Sequence, residues 1–162
     1  MTVMRDENWL QFQLDTIWDE YFSDVPQDNI VRIEYGRKAK RRLGSIRLDS
    51  VDRETSIITI NRIFTDPEVP EFVVQATIVH ELSHYAHGFN SPLEQKTAHP
   101  HAGGVMRREF EERGLLQLYQ QQKKWLKEHW LETLSRHVKV RSARRVIIVR
   151  KTTKIPKPFW FI

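Results

Sequence analysis

The sequence predicts an α+β fold: an N-terminal helix, a small three-stranded sheet, a helix carrying a His/Glu/His motif, further helices and a C-terminal β-hairpin. Three observations predict it. Apolar residues recur at helical spacing over residues 10–22, 72–86 and 105–134. Three short segments between residues 31 and 61 alternate in polarity or are rich in β-branched residues. Pro and Gly punctuate the chain where one period gives way to the other.

The elements follow in order. Asp6 precedes the stripe Leu10, Leu14, Ile17, Trp18, Tyr21 and Phe22, so it is the expected N-cap and the stripe the expected core face. After Pro26, Val31, Ile33 and Tyr35 alternate with Arg32 and Glu34 as a first strand. Ile46 and Leu48 indicate a second and Ser56 to Asn61 a third, with turn chemistry from Asp49 to Thr55 between them. Pro70 suits the first turn of a helix running to about His87, with Gly88 just past its end. In that helix Phe72, Val79, Leu82 and Ala86 are expected to face the core while His80 and His84 face a cleft. Residues 89–101 read as a loop. Helical spacing resumes at Val105, Met106 and Phe110, pauses at Gly114 and continues to Leu134. Val138 to Val140 and Val146 to Val149 are strand candidates joined through Arg141 to Arg145 as a hairpin, and the apolar end from Phe159 to Ile162 is expected to pack on the domain.

At 162 residues, 40% hydrophobic and 29% charged, the chain is expected to form one soluble domain. Its first residues turn acidic before any apolar run forms, and no stretch approaches the roughly 20 apolar residues of a membrane span. A cytoplasmic protein with no membrane partner is expected. Cysteine is absent, which excludes disulfides, cysteine nucleophiles and cysteine-based zinc ribbons. Any metal must sit on His and carboxylates. The net charge of +5 is unevenly spread, since residues 123–162 hold 12 Lys/Arg against 2 acids. A second basic cluster runs from Arg37 to Arg42. Each cluster reads either as a solvated face or as a phosphate-backbone contact.

His80-Glu81-Leu82-Ser83-His84 carries the chemistry. Residues four apart on a helix lie about 40° apart around the axis and one turn along it, so both imidazoles can reach one ion. Glu81 points beside that ion, where it can take a proton from attacking water as general base. A catalytic zinc takes three protein ligands, so one more is needed. Glu94, Glu109, Glu111 and Glu112 are carboxylate candidates, and His99 and His101 flank Pro100 just before the next helix. His87 lies a further turn along the axis, too far for an ion centred between His80 and His84. The metzincin spacing is excluded, because it requires Gly at position 87 and His at position 90.

The stretch from Ile57 to Gly114 resembles the SprT-like family of zinc-dependent peptidases. That family's core is a strand ending in Asn, a helix with the motif, and a later His leading into another helix. Ile60-Asn61 is similar to the strand end, and His80, Glu81 and His84 to the motif. His101-Ala102, Val105, Phe110 and Gly114 are similar to the later segment. Two departures stand out: Ala102-Gly103-Gly104 follow the His where the family has Gly with a more polar pair, and the four-cysteine ribbon of many members is missing. The resemblance implies a zincin-like fold, zinc as cofactor and His101 as the third ligand. It also implies a single metallopeptidase domain over residues 1–162, with a basic helix-hairpin extension from about residue 123, acting on protein or peptide substrates. Members are associated with removing proteins bound to DNA, so the resemblance implies DNA as a partner through the basic C-terminal region.

A second reading belongs to a different class: a nucleic-acid-binding protein whose metal site is structural. Trp125, Trp130 and Trp160 among Lys and Arg could then stack on bases. Zinc peptidases often add a Tyr, His or Arg to hold the oxyanion. Tyr85 and His87 are nearest in sequence, but they read as a packed Tyr and a surface His, leaving that role unassigned.

Overall fold

A computed structural model describes residues 4–138. Among them four α-helices and a three-stranded mixed sheet build an α+β fold. Helix α1 spans Glu7–Tyr21, and the Asp6 side chain caps it by accepting from the Trp9 N–H at 2.9 Å. Leu10, Leu14, Ile17 and Phe22 are buried as the apolar spacing requires, while Tyr21, at the end of the stripe, is exposed.

Strands β1 (Val31–Tyr35), β2 (Gly44–Leu48) and β3 (Ser56–Ile60) lie in the order β1-β3-β2. The central β3 pairs parallel with β1 and antiparallel with β2, so Ile58 faces Ile33 on one side and Ile46 on the other. Both faces of β3 are covered, which explains its nearly unbroken β-branched run. At its end Asn61 is buried, and its carbonyl Oδ1 accepts from the Ile63 N–H at 3.0 Å to start the short 3₁₀ turn Arg62–Thr65.

Helix α2 spans Glu71–Ala86 behind Pro70 and is the centre of the molecule, packed against α1, β2, β3 and the two later helices. Every residue from Val73 to Ala86 except Gln75 is buried, so the helix has no single core face; the expected division into core face and cleft face is corrected to burial on all sides. Phe72, expected in the core, is only partly buried. Past the helix end Gly88 has φ +80°, and a Cβ there would lie 2.5 Å from the Glu94 carbonyl oxygen. Only glycine fits that reversal. The following loop is tied to the sheet, because Asn90 Nδ2 donates to Ile46 O at 3.0 Å and Ser56 Oγ donates to Asn90 O at 2.6 Å.

A 3₁₀ turn, Ala102–Gly104, leads into α3 (Val105–Glu112), and α4 (Leu116–His137) closes the described chain. Buried Gln122 of α4 donates to Val73 O and Thr77 Oγ1, both at 3.0 Å, and so locks α4 to α2 one turn before the motif. Trp130 is 1% exposed and stands edge-on to Phe64, so it is a core residue and not a base-stacking platform. Trp125 is partly buried against the same core. The predicted C-terminal hairpin, Trp160 and the apolar end lie outside the described residues. No helix among the described residues is long and apolar enough to cross a membrane.

Candidate metal centre

His80 and His84 sit on successive turns of α2 with their Nε2 atoms 3.1 Å apart. His101 reaches them from the loop before α3: its ring centroid lies 5.4 Å from that of His80 and 4.8 Å from that of His84. One ring nitrogen from each of the three lies within 4.8 Å of the others, and the three could hold a metal ion. Ligand atoms about 2.0–2.1 Å from a tetrahedral ion lie roughly 3.3 Å from one another, so the His80 to His84 separation fits with little adjustment.

The electrostatics suit neutral imidazole donors. Burial holds the His80 pKa well below its ordinary value, and the neighbouring His84 and His101 act in the same direction. Burial also brings His84 down to about 3, with His101 and His87 adding to it. His101 is exposed as a residue, but its ring is turned against the other two and burial lowers its pKa as well. All three nitrogens are thus held ready for a cation instead of a proton.

Glu81 is 2% exposed, and burial pushes its carboxyl up to about 8 against an opposing pull from Arg42. It is held beside β2 by a close approach that needs glycine: a Cβ on Gly44 would lie 2.8 Å from Glu81 Oε1 and from Thr77 Cγ2. Glu81, His84 and His101 line a cleft of about 350 Å³. Arg42, residues 44–47 of β2, Phe89, Asn90 and Pro100 complete its lining.

The other ligand candidates lie elsewhere. His99, Glu94, Glu111 and Glu112 are exposed and outside the cluster. Glu109 is buried and engaged: its carboxylate accepts from His87 Nε2 and from Arg113 Nε, each at 2.7 Å. Arg113 also donates to Asp24 Oδ1 at 2.8 Å and stacks its guanidinium 3.8 Å over Phe22. His87, expected at the surface, is therefore corrected to a buried residue, 5% exposed, that clamps α2 to α3.

Burial alone would raise the Glu109 pKa, but the hydrogen bonds from His87 and Arg113 bring it down to about 2. A depressed carboxylate stabilises the fold above its unfolded value, and that contribution disappears as pH falls through the folded value. Urea unfolding of the wild type should thus lose on the order of 2 kcal/mol between pH 5 and pH 2.5 that a Glu109→Gln variant does not lose. Equal pH slopes for the two proteins would refute this role.

The sequence reading missed Arg42, Gly44 and Asn90 as parts of the site. Arg42 was absorbed into a basic cluster, and no signal in the sequence separates it from its neighbours; the hydrogen bond from Asn61 Nδ2 to Arg42 O is seen only in the structure. No family model, no curated protein and no solved structure matches this chain.

Proposed function

We propose that the protein is a zinc-dependent metalloendopeptidase with a zincin-like, SprT-like arrangement, in which His80, His84 and His101 hold zinc and Glu81 is the general base. The observation that carries this is a buried carboxyl, Glu81, in the wall of an open cleft that His84 and His101 also line, with His80 completing the three-imidazole cluster. The donor set supports zinc: three imidazoles suit a borderline metal, and a three-histidine site leaves a coordination position open. When bound, zinc supplies Lewis acidity that acidifies water and polarises a carbonyl. Glu81, as the carboxylate beside the bound cation, takes the proton of the attacking water and delivers it to the leaving amine. β2 is an edge strand along the cleft, and apart from Ile46 O, which accepts from Asn90 Nδ2, its outer main-chain groups can pair with an extended peptide.

A cytoplasmic setting belongs to the same reading, as do DNA-associated protein substrates, which the cation excess of residues 123–162 and the exposed cations Arg37, Lys38, Lys40 and Arg41 support. The alternative of a non-catalytic nucleic-acid binder loses support from the burial of Trp130.

Unfolded β-casein tests the proposal. The protein with one zinc should cleave it, a chelator should stop cleavage, and one added zinc equivalent should restore it. Cleavage that persists in chelator, or none at full zinc occupancy, would overturn the reading.

A further inference from the structure

We infer that Arg42 is the residue that stabilises the oxyanion formed when water adds to the substrate carbonyl. The inference rests on the peptidase reading. In that step a water O–H bond breaks and its proton passes to Glu81. The new C–O bond forms as the carbonyl π pair moves onto oxygen. Collapse restores the carbonyl, breaks the C–N bond and sends the proton from Glu81 to the leaving nitrogen. Negative charge therefore appears on the oxygen only transiently, and a cation within reach of that oxygen stabilises the transition state more than the ground state.

The position of Arg42 meets that requirement. It lines the same cleft as Glu81, His84 and His101. Its backbone is fixed although it lies in a loop. Asn61 Nδ2 donates to Ala39 O at 2.7 Å and to Arg42 O at 2.8 Å, and Trp130 Nε1 donates to Lys40 O at 3.0 Å. Asn61 is 4% exposed and Trp130 1%, so β3 and α4 anchor this segment from within the core. Anchoring at three nearby carbonyls bounds the space the guanidinium can reach.

The guanidinium is also uncommitted, making no ion pair or side-chain hydrogen bond with any described residue. The other cleft cation, Arg47, lies 3.6 Å from Glu34. Rival groups are engaged elsewhere. Tyr85 donates its hydroxyl to Asn29 Oδ1 at 2.8 Å, and His87 is held by Glu109. Tyr119 and Lys123 border a separate cavity of about 60 Å³ that His80 and His101 also line, too small for a peptide and without Glu81 in its wall.

The test compares zinc-loaded wild type, Arg42→Ala and Arg42→Lys. Arg42→Ala should lose about 100-fold or more in β-casein turnover, carried by kcat and not KM, with Arg42→Lys recovering part of it. Affinity for a blocked phosphinic alanine tripeptide, whose anionic tetrahedral group mimics the intermediate, should fall in parallel; affinity for the parent alanine tripeptide should not. Zinc content and unfolding midpoint should match the wild type, because Arg42 is exposed. A wild type that cleaves while Arg42→Ala cleaves and binds the phosphinic peptide within about 3-fold of it overturns the Arg42 assignment alone. A wild type that cleaves nothing at full zinc overturns the peptidase reading, and this assignment with it.

Discussion

Glu81→Gln is expected to keep one zinc per chain and to lose proteolysis by about 10²–10⁴-fold, the range that general acid–base catalysis supplies. Gln matches Glu in shape, so it fits the space that Gly44 leaves beside Oε1. What it lacks is a group that can accept and return a proton. The same variant carries a second readout in the metal-free protein. Burial raises the Glu81 pKa from 4.5 to about 8, so the folded state favours the protonated carboxyl. A raised folded pKa contributes stability that is complete below the unfolded value and disappears as pH rises through the folded one. Metal-free wild type should therefore lose stability between about pH 4.5 and 8 relative to Glu81→Gln. Undiminished proteolysis by Glu81→Gln would end its assignment as general base, whatever the stability profile.

His101→Ala is expected to weaken zinc binding by more than about 100-fold, beyond the loss typical of an outer partner of a metal ligand, and to abolish turnover with it. The fold should tolerate the change, since His101 is exposed and its side chain makes no capping hydrogen bond to the turn it precedes. His99→Ala is the internal control: two residues away, exposed and outside the cluster, it should leave zinc binding intact. The burial that holds His84 near pH 3 implies that protons compete poorly for this ring in the folded protein. Full zinc retention by His101→Ala, measured by metal analysis after dialysis, would remove it from the ligand set.

The parts of this arrangement that depend on local chemistry were legible in the sequence. Asp6 caps α1, Pro70 opens α2 and Gly88 ends it, because capping and positive φ are decided within a few residues. The pairing of His80 with His84 follows from helical geometry alone. His101 was different: spacing left it level with His99 and several glutamates, and only the family resemblance favoured it, since its approach depends on the path of residues 89–100. The environment of His87 was illegible for a related reason. α2 is apolar on nearly every side, so no amphipathic contrast marks which of its polar residues are buried, and Glu109 comes into reach only when α3 docks. Arg42 was hidden by its neighbours, because a run of cations reads as a solvated face until Asn61 and Trp130 are seen to anchor its backbone.

Zinc-edge X-ray absorption of the protein loaded with one zinc equivalent probes the centre itself. Three imidazole nitrogens at about 2.0–2.1 Å with one further oxygen donor from solvent are expected, the signature of an open three-histidine site. Fewer than three imidazoles, or a fourth ligand supplied by the protein, would contradict a catalytic zinc held by His80, His84 and His101.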